Sequence, residues 1–372
     1  MSVAAITTGV DIAVESIDVA AYTVPTDAPE ADGTLSWQAT TVVVVRARAA
    51  EQVGLGYSYA APAAAAVIGD TLAGAVRGAD ALSPPAAWER MRAAVRNIGR
   101  PGVASCAIAA LDVALWDLKA RLLGLPLATL LGRVHERVPI YGSGGFTSYD
   151  DKQLERQLAG WAEQGITRMK IKVGSDPGED PRRVGLARRS IGDDAELFVD
   201  ANGAYERKQA LGLAEVFVRE AGVSWFEEPV SSDDLEGLRL LRDRAPAPIA
   251  IAAGEYGYDL FYFRRMLEAG AVDVLQADAT RCGGITEMLR VGALCAAAGI
   301  PLSAHTSPAI HAHVCAAIAP AVHVEYFHDH ARIEGILFDG TLQPREGALE
   351  PDRDRPGLGL ELRESDAERY AV

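Results

Sequence analysis

The chain has 372 residues, 49% hydrophobic and 23% charged, an ordinary soluble composition with enough length for a barrel plus a smaller domain. A net charge of −15 with no Lys/Arg-rich run would be repelled by a phosphate backbone, which argues against nucleic acid as a partner. The four cysteines, Cys106, Cys282, Cys295 and Cys315, show no CxxC spacing and read as reduced, buried thiols of a cytoplasmic protein.

The first residues, MSVAAITTGVDIAVES, lack a basic stretch followed by an apolar core, so no secretory leader is expected. Val24 to Ser36 is rich in Pro, Asp and Gly and reads as a loop. Thr40 to Ala47 is β-branched and Gly54 to Ala60 alternates small and aromatic residues, so a small antiparallel sheet is expected. Ala63 to Leu131 has helical spacing. Its most apolar part, Ala104 to Trp116, is broken by Asp112 and is too short to span a bilayer, so it reads as a buried helix.

From Val138 onward, short apolar strands recur at intervals of roughly 20–30 residues with an amphipathic stretch after each, the pattern of βα units around a parallel sheet. The expected strands are Val138–Ser143, Arg168–Val173, Glu196–Ala201, Ser224–Glu228, Pro248–Glu255, Val272–Asp278, Ile300–His305 and Val322–Tyr326. No helical pattern of comparable length follows the eighth. The fold class is therefore α/β, a (β/α)7β TIM-like barrel with an N-terminal α+β capping domain. The expected boundaries are 1–134 for the cap, 135–333 for the barrel and 334–372 for a tail returning to the cap.

Barrel sites gather at the C-terminal ends of the strands. Here those ends carry Lys170 and Lys172, Asp200, Glu227, Glu255, Asp278, His305 and Glu325, a series that a purely structural barrel would not bury. Lys170 and Lys172, two apart in MKIKV, share a strand face. Two adjacent ammonium groups near a cation should have lowered pKa values, leaving one free to act as a base. Asp200, Glu227 and Glu255 offer three hard oxygens without thiol or imidazole, a donor set suited to Mg²⁺; spacing leaves open whether Glu227 or Glu228 faces inward. Asp278 and His305 end adjacent strands, where the carboxylate can hold one imidazole nitrogen and leave the other for proton transfer. Glu325, if protonated, can donate to a developing oxyanion. Three motifs read as structural. GSGG at Gly142–Gly145 reads as a tight turn, His311 and His313 point apart on a helix, and His328 and His330 read as a solvated loop, with a place at the pocket rim as the alternative.

Taken over the whole chain, KxK at Lys170, DAN at Asp200, EEP at Glu227, GE at Glu255, DATRCGG after Asp278 and SAH at His305 resemble the enolase superfamily. Within it, the chain is similar to the mandelate racemase subgroup of the mandelate racemase/muconate lactonizing enzyme family. That resemblance implies Lys172 as the base with Lys170 assisting, an Asp278–His305 acid–base dyad, and Mg²⁺ on Asp200, Glu227 and Glu255. It also implies Asn202 near the metal or substrate and Glu325 as the electrophilic partner. Val24 to Trp37 looks like the family's capping loop, which makes Trp37 and Tyr57 expected substrate contacts, with Tyr59 nearby and Arg281 available to a carboxylate. The implied reaction is removal of the α-proton of an acid sugar to give an enediolate, then loss of water to a 2-keto-3-deoxy acid. The second choice is a racemase or epimerase, and a catalytically silent binding barrel is the remaining alternative. The expected partners are a small carboxylate and further copies of the chain in a homo-oligomer, with no membrane.

Overall fold

The computed structural model describes residues 12–372, so the expectation about the first eleven residues lies outside the described part. Three strands open the chain: β1 (Ser16–Ala31), β2 (Ser36–Ala49) and β3 (Gln52–Tyr59), paired antiparallel in the order β1-β2-β3. The β-branched run of β2 sits at the centre. Successive side chains point to opposite faces, so Val42 and Val44 join the core shared with the barrel while Val43 and Val45 join the cap's own core. The cap's core is filled by helix Val103–Leu122, which holds the expected buried stretch. Gly54 and Gly56 on β3 let that helix approach, since a Cβ at either would lie 2.2–2.3 Å from the carbonyls of Ala114 and Ala110.

The expected loop at Val24–Ser36 is mostly strand. β1 continues to Ala31 and the connection to β2 spans only residues 32–35. Two prolines persist because β1 is an edge strand, and the pairing with β2 slips between Pro25 and Glu30.

The barrel strands are β4 (Val138–Gly144), β5 (Arg168–Lys172), β6 (Glu196–Asp200), β7 (Val223–Glu227), β8 (Ala250–Ala253), β9 (Val274–Ala277), β10 (Leu302–Ala304) and β11 (Ala321–Phe327). They pair in parallel and in sequence, and β11 closes on β4. All eight expected strands are present, several trimmed at their ends.

Side-chain alternation fills the interior in layers. Tyr141, Phe198 and Trp225 pack with Ala252 and Val274, and the His323 ring lies 4.9–5.9 Å from the three aromatic rings. Two residues further along β4, β6, β7 and β11 come Ser143, Asp200, Glu227 and Glu325. The apolar layer thus stops the barrel beneath the charged one.

Two expectations change here. Gly142–Gly144 of GSGG form the end of β4 rather than a turn, because a Cβ at Gly142 would strike Trp161 at 2.7 Å and one at Gly144 would strike Gln157 at 2.6 Å. A ten-residue helix, His328–Leu337, does follow β11. His328 and His330 lie in its first turn instead of a solvated loop.

The last residues touch both parts of the chain. Ala348 and Leu349 pair with Pro139 and Val138, while the Val372 amide donates to the Ala21 carbonyl at 3.1 Å. Buried carboxylates close the seam between cap and barrel. Asp112 accepts from the Thr286 amide and hydroxyl at 2.9 and 2.7 Å; Glu334 accepts from the Tyr57 hydroxyl at 2.6 Å and the Ala309 amide at 3.1 Å. The four cysteines are free and buried. Among the described residues no helix is long and apolar enough to cross a membrane.

Candidate active site

Strand register gathers the charged side chains. Lys170 and Lys172 point inward from β5, with Lys172 at the last strand position opposite Asp200, which in turn pairs with Glu227 on β7. Lys172 Nζ donates to Asp200 Oδ2 at 2.5 Å. Lys170 lies one layer deeper, fully buried, with Nζ 2.6 Å from Glu227 Oε1, 2.7 Å from Glu325 Oε1 and 3.3 Å from Asp200 Oδ2.

The structure answers the Glu227/Glu228 question. Asp200, Glu227 and Glu255 each bring a carboxylate oxygen within 4.8 Å of the others, close enough to share one metal ion. Glu228 is also buried, held at a positive φ of 37°.

On the far side, His305 Nδ1 lies 2.9 Å from Asp278 Oδ2, and the other Asp278 oxygen accepts from the Thr280 amide and hydroxyl at 2.7 Å. Burial alone would raise the Asp278 pKa, but the His305 hydrogen bond, His311 and Arg281 hold it below the usual carboxylate range. The carboxylate therefore stays charged and fixes the imidazole, leaving Nε2 toward Glu255, 3.4 Å from Oε2.

Among the protein's own groups, carboxylates set the charge of both lysines and Lys170 that of Glu325; the lowered lysine pKa is expected beside a bound cation. Burial would lower the Lys172 pKa, but Asp200, Glu255 and Glu227 outweigh it and hold the ammonium above the usual lysine range; Lys170 is raised further by Glu227 and Glu325. Lys170 does pull the Lys172 pKa down, as like-charge repulsion requires, and the carboxylates around the two lysines outweigh it. Glu325 is held as a carboxylate by its neighbours. Desolvation works to raise its pKa, yet Lys170, His305 and Lys172 hold it down to about 2, and it accepts from Ser143 Oγ at 2.6 Å and the Thr306 amide at 3.1 Å.

The donor set fits a divalent cation on charge and on unsatisfied atoms. Asp200, Glu227, Glu228, Glu255, Asp278 and Glu325 are six buried carboxylates, against three basic side chains, Lys170, Lys172 and Arg281. Burial and then the neighbouring carboxylates push Glu227 and Glu228 well above the usual range. Glu255 Oε2, Glu228 Oε1 and Asn202 Oδ1 are buried without a hydrogen-bond partner.

Above this layer lies a cavity of about 360 Å³ between barrel and cap. Lys172, Asn202, Glu255, Arg281, His305 and Glu325 line its barrel side, whereas Lys170 does not reach it. Arg281 lies 3.4 Å from Glu255 and 3.8 Å from Asp278. Asn202 reaches the cavity from a left-handed backbone conformation, φ 46°, secured by its amide on Asp200 Oδ1 at 2.9 Å.

Trp37 lines the opposite side, but Tyr57 does not. Tyr57 is fully buried, its ring stacks on Phe338 and its hydroxyl is committed to Glu334. The Tyr57 expectation is therefore corrected: Tyr59, two residues nearer the strand end, takes the cavity position. The sequence reading also missed Thr306, Tyr256 and Phe327, and it ranked a solvated loop above the pocket-rim place that His330 takes. Its only signal for His330 was the HDH motif, which gives no depth. Burial lowers the His330 pKa well below the usual histidine range and keeps it neutral. His311 instead bonds the Ala279 amide at 2.9 Å and the Thr306 carbonyl at 2.6 Å, propping the loop behind the dyad.

Comparison with known proteins matches this geometry along the chain. Residues 153–366 match the family model for enolase C-terminal domain-like proteins, and residues 9–132 match that for the mandelate racemase/muconate lactonizing enzyme N-terminal domain. L-talarate/galactarate dehydratase of Salmonella typhimurium is 33% identical over 316 residues, 84% of this chain and 77% of its own length. The crystal structure of a mandelate racemase/muconate lactonizing enzyme-like protein from Rubrobacter xylanophilus superposes with a TM-score of 0.95 at 59% identity, covering 97% of this chain and all of that one. That of a racemase from Streptomyces coelicolor with bound magnesium has a TM-score of 0.90 at 29% identity, covering 96% of this chain and all of that one. The chain belongs to the mandelate racemase/muconate lactonizing enzyme family of the enolase superfamily.

Proposed function

We propose that this protein is a Mg²⁺-dependent acid-sugar dehydratase, in which Lys172 removes the α-proton of a hydroxy-carboxylate and the Asp278–His305 dyad protonates the departing hydroxyl. The observation that carries the reading is one cavity lined by two separately positioned proton-transfer groups, Lys172 on β5 and His305 just after β10, beside a triad of metal-type carboxylates. Mg²⁺, when held by Asp200, Glu227 and Glu255, supplies positive charge for the substrate carboxylate and draws the Asp200 charge away from Lys172.

Lys172 is the base because it reaches the cavity, while Lys170 is buried below it in ion pairs with Glu227 and Glu325. The amine takes the α-proton, and the electrons left on the α-carbon form the enediolate. Asp278 holds His305 through Nδ1, so Nε2 carries the proton delivered to the C3 hydroxyl. Water leaves, and the enol tautomerises to a 2-keto-3-deoxy acid. Asn202 and Arg281 are positioned to hold substrate oxygens, and the Glu325 carboxylate keeps Lys170 in place. The Salmonella relative supports dehydration.

A second reading, racemisation or epimerisation, draws on the same two groups and on the Streptomyces racemase as a structural relative. ¹H NMR in D₂O with Mg²⁺ across a panel of hydroxy-acids, with carbonyl trapping of products, separates the readings. Keto-acid release supports dehydration. Exchange with epimer formation alone supports the second reading, and absence of exchange with every acid sinks both.

A further inference from the structure

We infer that the substrate is a monocarboxylate whose end away from the carboxylate is uncharged and apolar, a hydroxy-acid chain ending in a methyl or similar group. This rests on the proposed α-proton chemistry and names its substrate class.

The argument starts from what the cap offers to the cavity. Polar hydrogens on this wall are already used within the protein. Trp37 Nε1 donates to Glu30 Oε2 at 2.8 Å, Thr40 Oγ1 to Asp329 Oδ2 at 2.5 Å and the Tyr59 hydroxyl to the His330 carbonyl at 3.2 Å, while Thr41 shares its hydroxyl with Thr23 at 2.8 Å. These residues therefore present ring surfaces and methyl groups to the cavity. Ala39, Ala60, Ala61 and Leu35 complete that wall. Trp37 is braced edge-on by Phe146, and Phe146 by Phe327, so the aromatic surface is fixed.

Charge points the same way. Among the described residues this wall carries no lysine or arginine, and its one charged group is Asp32, whose carboxylate accepts from the Thr34 and Leu35 amides at 2.6 and 2.7 Å. The cavity's two basic side chains among the described residues, Lys172 and Arg281, sit on the barrel side among Asp200, Glu255 and Asp278. A second carboxylate directed at the cap meets an anion and no cation. A terminal hydroxymethyl gives up water and meets no free hydrogen-bond donor on this wall, with the Asp32 carboxylate the one charged acceptor there. A methyl group loses nothing.

The test compares kcat/KM for keto-acid release from sets of three acids matched in configuration: the terminal deoxy-aldonate, the aldonate and the aldarate. The expected order is deoxy-aldonate, aldonate, aldarate, with about a hundred-fold or more between first and last, as for a buried group left without its partner. Ala39→Arg, which puts a cation on the exposed edge of the wall, should narrow that ratio at least about ten-fold. Equal or better use of the aldarate by the unmodified protein, or an unchanged ratio in Ala39→Arg, overturns this inference while leaving the dehydratase reading intact. Failure of every acid to exchange its α-proton instead overturns that reading, and the substrate class falls with it.

Discussion

The two walls of the cavity are built on opposite plans. The barrel wall concentrates ionisable groups on strand ends whose register is fixed by parallel pairing, while the cap wall presents mostly neutral side chains from the turn between β1 and β2, from β2 and from the end of β3. On the barrel side, burial makes charges interact strongly and sets the chemistry. On the cap side the polar groups have been satisfied internally, and what remains is shape. The difference separates how a reaction is done from which molecule undergoes it.

The largest effects should come from the barrel wall. Lys172→Ala and His305→Asn are each expected to cut keto-acid release by at least about a thousand-fold, the scale of losing a positioned proton-transfer group. Mg²⁺ binding should survive in both, read as the rise in melting temperature on adding the metal. Near-normal turnover in either variant would reassign the roles.

Metal removal tests the same wall through stability. Chelation should abolish turnover and lower the melting temperature, because the six buried carboxylates are then opposed by only three cations. Metal at a hundred times its Kd should restore about 2.7 kcal/mol. Trp37→Ala, on the cap wall, should leave that response unchanged while altering KM. A lost metal response there would show that the walls are not independent.

The seam between the walls gives smaller effects. Tyr57→Phe removes the hydroxyl that satisfies Glu334 and should cost about 1–3 kcal/mol in urea unfolding. Its kcat/KM should stay near normal, and a selective rise in KM would return Tyr57 to the substrate site.

Glu334 also predicts a pH dependence. Burial pushes its carboxyl up to about 8, from the usual 4.5, so the folded chain holds this proton more tightly than the unfolded chain. Its stabilising contribution is present in full below about pH 4.5 and is lost as pH rises toward 8. Urea midpoints at pH 5 and pH 8.5 should therefore differ, and Glu334→Gln should reduce the difference. An equal slope in the variant would assign it to other groups.

Much of the barrel wall was legible in the sequence because strand alternation has a strict period. Once MKIKV is a strand, Lys170 and Lys172 must share a face, and the same logic places Asp200 and Glu227. Alternation fixes the face but not the depth. That is why Tyr57 and Tyr59, two residues apart on one strand, exchanged expected places, and why Lys170 proved to lie below the cavity.

The pull of carboxylates on the lysine pKa values was out of reach for a related reason. Those values depend on carboxylates that are remote in sequence, such as Glu325 beside Lys170. In the cap, Pro25, Pro29 and Gly33 suggested a loop, because edge-strand tolerance for proline can be recognised only when the sheet order is known. The choice between loop and rim for His330 was out of reach too, as was the partner of Asp27. The former's cavity position requires the helix after β11, and the latter meets His328 at 2.9 Å across 301 residues of chain.

Gly33 stands in the short turn between β1 and β2, where an added Cβ would lie 2.4 Å from the Ala201 carbonyl and 2.7 Å from that of Val173. Both carbonyls belong to residues immediately following β6 and β5, so the tip of the cap rests on the backbone that carries Asp200 and Lys172. Exchange of capping segments between relatives is thus a problem of seating before it is one of recognition. A grafted loop with any side chain here would stand off from the barrel and widen the cavity, whatever its lining residues. Keeping this glycine while varying Leu35, Trp37 and Ala39 is the route by which a new preference can be installed without disturbing the proton-transfer groups below.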